Sequence, residues 1–144
     1  MTTVRTPWHF WLVGGLSLLW NLGGAYDYLM TQTHNDAYLA AFSAEQRAFF
    51  DSYPVWMVVA WAFGVWGAVA GSLLLLLRSR YAVTAFAVSL AGLAVSSLWQ
   101  FALSGANIRT TFGTGPMIMI ALIWLIEIAL LVYARRQVAL GHLR

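Results

Sequence analysis

Four long apolar stretches, separated by short polar segments, decide most of what this chain can become. The first runs from Trp8 to about Met30, with no charge before Asp27. The second, Pro54 to Leu77, and the third, Tyr81 to Leu103, carry no charge, and the fourth, Pro116 to Ala134, holds a single acid, Glu127. A helix rising about 1.5 Å per residue crosses a ~30 Å hydrocarbon layer with about 20 apolar residues, and each stretch is long enough. The runs are continuous and do not alternate with period two, which favours helices over a barrel. Only 9% of the 144 residues are charged, against about 25% in an ordinary soluble domain. A soluble enzyme, a nucleic-acid binder and a disordered linker are therefore set aside. The expectation is an all-α integral membrane protein: one domain over 1–144, with four antiparallel transmembrane helices at about 8–30, 54–77, 81–103 and 116–134.

Punctuation supports these limits. All three prolines, Pro7, Pro54 and Pro116, stand at the start of a span, where a missing N–H costs little. Thr6 is the expected N-cap of the first helix. Arg78-Ser79-Arg80 is a turn short enough to enforce a helical hairpin, and Ser104 to Gly115, with three glycines and Asn107, reads as a polar loop. Gly23-Gly24-Ala25 resembles a cleavage region, but the apolar run is longer than the roughly 7–15 residues of a signal peptide, so the first span is expected to be retained.

Charge sets the orientation. Every basic residue is arginine, and six of the eight (Arg5, Arg78, Arg80, Arg135, Arg136 and Arg144) fall on one side. Arg47 and Arg109 share the other side with Asp27, Asp36, Glu45 and Asp51. An arginine-rich side faces the cytoplasm, so both termini are expected there.

Glu127 is the most informative residue. It lies eleven positions after Pro116 and eight before Arg135, near mid-membrane on a regular helix. Intramembrane carboxylates are costly and usually face a bundle interior or a cavity. Glu127 is thus either a ligand- or proton-coupling group, or an acid hydrogen-bonded to a neighbour that ties helices together. Asn21 and Asp27 are six positions apart, roughly 120° around the helix, and are not expected to share one narrow groove. Asn21 needs a partner, for which Gln100 on the third span is the candidate. Asp27 reads as an interfacial anion between Tyr26 and Tyr28, or as part of an outward-opening polar pocket with Asn21 and Gln100. Of the eight tryptophans, Trp8, Trp11 and Trp56 suit an interfacial belt. Trp20, Trp61, Trp66, Trp99 and Trp124 lie deeper, and Trp20, Trp99 or Trp124 could form a stacking wall for a flat ligand or simply fill volume.

Small residues mark helix contacts. Gly67 and Gly71 form a GxxxG, extended by Ala60, Gly64 and Ala68, and the third span shows Ala85, Ser89, Gly92 and Ser96 on one face. Such faces let membrane helices approach closely, within one chain or between copies. Between the first two spans, Ser43-Ala44-Glu45-Gln46 fits a capping box. Phe42, Phe49, Phe50 and Tyr53 then form one helical stripe, which predicts a short amphipathic outer helix acting as an interfacial anchor or a lid. His9, His34 and His142 are scattered and cysteine is absent, so no metal site, cofactor or enzymatic activity is expected.

The chain resembles a group of small bacterial inner-membrane proteins, some labelled "sugar transporter". The likeness rests on Pro7-Trp8-His9-Phe10-Trp11, on Trp20-Asn21 followed by Tyr26-Asp27-Tyr28-Leu29-Met30-Thr31-Gln32, and on Tyr133-Ala134-Arg135-Arg136. The sequence lacks the proline–glutamine signature and three-helix repeat of small sugar-permeating half-transporters. It is similar in size and span count to small multidrug transporters, but those carry their glutamate on the first helix. The resemblance and the lone mid-span acid together point to a multi-pass inner-membrane transporter of a sugar-like or other compact polar solute in contact with lipid, and because four helices barely enclose a pore it is expected to act as a homo-oligomer. The alternative is an accessory or assembly subunit of a larger membrane complex, docked through a small-residue face.

Overall fold

Each apolar stretch becomes one long helix in the computed structural model, which describes residues 5–144. The elements are α1 (Trp8–Gln32), α2 (Asp36–Leu39), α3 (Ala44–Asp51), α4 (Val55–Leu76), α5 (Ala82–Leu98), α6 (Ile108–Phe112) and α7 (Thr114–Ala139). A π-helical turn, Trp99–Leu103, continues α5. No strand occurs among the described residues. Three helices, α4, α5 with its π-helical turn, and α7, are long and apolar enough to cross a membrane. The 25 residues of α1 match them in length, but Asn21, Asp27 and four glycines dilute its hydropathy.

Several helix ends differ from expectation. Thr6 does not cap α1: Pro7 is extended at φ −68°, ψ 154° and takes the N-cap position, while Thr6 Oγ1 is buried without a partner. An extended Pro7 delays the helix by one residue and carries the threonine out of capping range. Pro116 lies inside the first turn of α7, which begins at Thr114 because Gly113, at φ 84°, swings the chain into the helix. That helix then runs past Ala134 to Ala139. The expected loop 104–115 contains α6, capped by Asn107 Oδ1 accepting from Thr110 N at 3.3 Å. The capping box on α3 forms with both arms, Ser43 Oγ accepting from Gln46 N and Gln46 Oε1 accepting from Ser43 N, each at 3.1 Å.

Polar side chains share the interior with an apolar core, while much of the surface is apolar. Ser17, Asn21, Ser72, Ser89, Ser96, Glu127 and Gln137 are buried. Leu12, Leu16, Leu19, Leu22, Tyr26 and Leu29 form an exposed stripe along α1, and Ile118, Leu122, Leu125 and Val132 form another along α7. Polar groups turn inward and apolar ones outward when the solvent is hydrocarbon.

Helix α1 packs on α4, α4 on α5, and α5 on α7. The α4–α5 seam is the closest. A Cβ on Gly92 would come within 2.5 Å of Gly64 N and nearer still to Ala60 O, and one on Gly67 would lie 3.0 Å from Ser89 N. Ser89 Oγ donates to Gly64 O at 2.6 Å across this seam. Gly71 is covered by the Phe86 ring. The small-residue faces of the two helices therefore meet each other within one chain.

At the opposite edges, α1 and α7 touch near the arginine-rich end, where Phe10 and Tyr133 ring centroids are 6.5 Å apart. They do not pack along the rest of their length. That end is filled by Phe10, Leu75, Ala82, Phe86, Leu130, Ala134 and Leu143. The tail is tied to the α4–α5 turn: Arg80 N donates to Arg144 O and Arg144 N to Arg78 O, each at 2.9 Å, with Arg78 Nε donating to His142 O at 3.1 Å. These bonds hold Arg78 at a left-handed φ of 59°, a conformation unfavourable for a non-glycine residue. The other end is capped by Phe49, Met57, Trp99 and Ile108, with Phe50, Tyr53 and Phe112 packed against them.

Candidate functional site

Between the filled end and the aromatic cap the helices line a partly open cavity of about 770 Å³, within the size range of pockets that take small organic molecules. Its residues come from every long helix. Trp20, Asn21 and Asp27 reach it from α1, Trp61 and Ala68 from α4, Ser89, Ser96 and Gln100 from α5 and its π-helical turn, and Glu127 from α7. Phe49, Phe50, Tyr53 and Phe112 close its capped end.

Glu127 is the centre of this arrangement. It is only 3% exposed, and its Oε2 atom is buried without a hydrogen-bond partner. Ser89 on α5 stands within hydrogen-bond reach of the Glu127 carboxyl, and its hydroxyl also donates to Gly64 O at 2.6 Å, so the Ser89 contact leaves Oε2 unpaired. A buried carboxyl oxygen without a donor loses the free energy that water would supply. Such an oxygen stabilises the fold poorly unless a proton or a donor reaches it.

Asn21 has different partners from those expected. Its Nδ2 donates to Ser72 Oγ at 2.9 Å and to Ala68 O at 3.2 Å, so it joins α1 to α4 and not to Gln100. Gln100 instead lies beside the Tyr53 hydroxyl at the capped end. Asn21 and Asp27 share the cavity despite their angular separation. The cavity spans the gap between two helices, so one wide wall of α1 faces it where a narrow groove would have admitted only a stripe.

Asp27 is half-buried and accepts a hydrogen bond from Tyr38 Oη of α2, so it is not simply an anion in interfacial water. Burial, reinforced by the Asp27 carboxylate, raises the Tyr38 hydroxyl above its ordinary value. Burial raises Tyr53 in the same way, with Asp27 adding to it and Gln100 working against it. Both phenols therefore stay protonated donors at neutral pH.

The expected stacking wall is only partly present. Trp20 lines the cavity, whereas Trp99 is buried in the cap, 5.2 Å from Tyr53 and 5.6 Å from Phe49 by ring centroids. Trp124 Nε1 donates to Ser97 Oγ at 3.3 Å, and its ring is not part of the lining. Trp61 takes the missing place, 4.8 Å from Tyr28 and 5.8 Å from Tyr53 by ring centroids. Its depth alone gave no sign of this, because the rotation of α4 decides which tryptophan looks inward. Ser89 and Ser96, read from sequence as helix-contact residues, also line the cavity.

The amphipathic helix α3 turns its rings toward the bundle. Phe49 is buried against Phe112 at 5.4 Å between centroids, and Gln46 Nε2 donates to Thr111 O at 3.0 Å. This joins the segment between α1 and α4 to the segment before α7 and forms a roof. Among the described residues no three His, Cys, Asp or Glu side chains converge to hold a metal ion. No family model, curated protein or solved structure matches the chain.

Proposed function

We propose that the protein is a small membrane transporter that binds its solute in the cavity around Glu127. The observation that carries this reading is a buried carboxyl side chain, with one oxygen left without a hydrogen-bond partner, in the wall of a cavity of about 770 Å³. In a purely structural acid both buried oxygens would be expected to find partners on neighbouring helices. The proposed role is binding and passage, without catalysis.

In this proposal α1 is the fourth span and the four long helices alternate in direction. A 25-residue helix reaches about 37 Å, enough to cross the hydrocarbon layer. Its leucine stripe faces outward and Asn21 inward, which supports the assignment. The arginine-rich end would face the cytoplasm, with the bacterial inner membrane as the proposed location from the resemblance noted above. The aromatic cap would then face outward.

The rival reading, an accessory subunit docked through its small-residue face, is less well supported because α5 already covers that face of α4. A homo-oligomer remains part of the proposal, with the exposed stripe of Trp56, Val59, Phe63 and Trp66 on α4 as its contact. Native mass measured in nanodiscs reads this directly, and a single mass at one chain removes it.

Uptake of labelled sugars and of cationic dyes into proteoliposomes, compared with Glu127→Gln, tests the central claim. The native protein should accumulate at least one class and the variant should lose that uptake. Equal uptake by the two proteins overturns the role given to Glu127.

A further inference from the structure

Asp27 and Glu127 are the charged residues of the cavity lining, and no arginine or histidine faces them there among the described residues. Two carboxyl groups with no resident cation suit an occupant that brings positive charge with it. Much of the remaining wall is aromatic or aliphatic, including Trp20, Trp61, Phe112, Leu93, Ile120 and Ile123. Ring faces attract cations as carboxylates do, and more strongly where water is excluded.

The position of the opening adds a second constraint. Leu19, 69% exposed, and Met119, 48% exposed, line the cavity while also facing outward. They lie on α1 and α7, the two helices that do not pack together along this stretch. Gly23 and Gly24 lie on the same edge of α1, and no atom stands within 4 Å of where their side chains would begin. The gap thus lies beside the exposed leucines of α1 and the exposed isoleucine and leucine of α7, at a height occupied by lipid tails. The roof from α3 and α6 obstructs the route along the bundle axis.

We propose that the cavity takes a lipophilic organic cation, which loads sideways from the bilayer between α1 and α7 and places its positive charge against Glu127. Asp27 is the secondary anion, since Tyr38 already occupies one of its oxygens. A strongly hydrated ion or a sugar would have to shed its water in the hydrocarbon before reaching the gap, whereas an amphiphilic cation already partitions there. This names the solute class of the transporter reading and rests on that reading for passage, but not for binding.

The probe is tetraphenylphosphonium, titrated into the protein in nanodiscs and followed by tryptophan quenching. Triphenylphosphine oxide serves as the neutral aromatic control and tetramethylammonium as the hydrophilic cation. Saturable binding of tetraphenylphosphonium is expected, weakened about tenfold or more by Glu127→Gln and less by Asp27→Asn. Both controls should bind about tenfold more weakly than the probe. Equal binding of the neutral control, or an unchanged affinity in a monodisperse, helical Glu127→Gln, overturns the inference.

Gly24→Trp fills the gap from open space and should slow both loading and release. Unchanged rates overturn lateral access. Binding that disappears as the protein associates overturns it too, because a second copy would then occupy the gap. Tight probe binding without uptake would retire the transporter reading and keep this one. Glu127-dependent uptake of a sugar with no probe binding would do the reverse.

Discussion

Glycines serve opposite purposes on the two sides of this bundle. In the α4–α5 seam, Gly64, Gly67 and Gly92 face backbone, and two helices come together until there is no room for a methyl group. In α1, Gly15, Gly23 and Gly24 face nothing within 4 Å. The first set creates contact and the second leaves space, and the cavity exists because α1 and α7 are not drawn together as α4 and α5 are. The seam also satisfies its polar group, with Ser89 bonded to Gly64 O. The cavity wall on the gap side holds the one buried carboxyl oxygen that has no partner among the described residues.

The largest effect should come from placing the same methyl group where it does not fit. Gly92→Ala drives a Cβ into Ala60 O and Gly64 N. These are backbone atoms and cannot rotate away, so the cost should reach about 3 kcal/mol, at the upper end for overpacking. Unfolding in mixed micelles titrated with dodecyl sulfate would measure it. A cost below about 1 kcal/mol would mean the seam has slack.

The next largest effect has the opposite sign. Glu127→Leu replaces an unsatisfied acid with an apolar side chain of similar reach, and should stabilise the fold by about 1–3 kcal/mol. Ligand binding and uptake should disappear in the same variant, the usual exchange of stability for function. Were Glu127 instead a tie between helices, the same change would destabilise the protein, and the unfolding curve distinguishes the two.

The seam was legible in the sequence because it is written in residue size. Gly64, Gly67, Gly92 and Ser89 can be picked out by spacing alone, as can the Ser43–Gln46 capping box, since each depends on neighbours along one helix. The apolar runs likewise marked α4, α5 and α7. The gap was far less legible. Which tryptophan faces inward, Trp61 or Trp124, depends on helix rotation, which the identity of the residue does not encode. The partner of Asn21 depends on the height at which α1 meets α4, and that placed Ser72 within reach instead of Gln100. Glu127 was an exception. Its cost in hydrocarbon forces it inward whatever the rotation, so its burial was foreseeable even though its lack of a partner was not.

A smaller effect should appear where α1 is joined to the seam. Asn21→Ala removes the donors to Ser72 Oγ and Ala68 O and leaves Ser72 fully buried. Hydrogen bonds between membrane helices are worth roughly 1 kcal/mol, so a loss of about that size is expected. Amide exchange should then quicken in α1 while the α4–α5 seam stays protected. Equal quickening in all four long helices would show that the two sides of the bundle do not separate.

The smallest effect returns to the methyl group that Gly92 cannot accept. Gly24→Ala adds it to a helix interior where no atom stands within 4 Å. With no clash to oppose it, the gain in helix propensity and the reduced freedom of the unfolded chain should dominate, stabilising the protein by up to about 1 kcal/mol. The sign carries the argument: one substitution, made on two helices of one chain, should destabilise at position 92 and stabilise at position 24. A loss at both positions would place something against Gly24 in the folded protein, either a second copy or α7 itself. The gap would then be closed, and the cavity would have to fill from another direction.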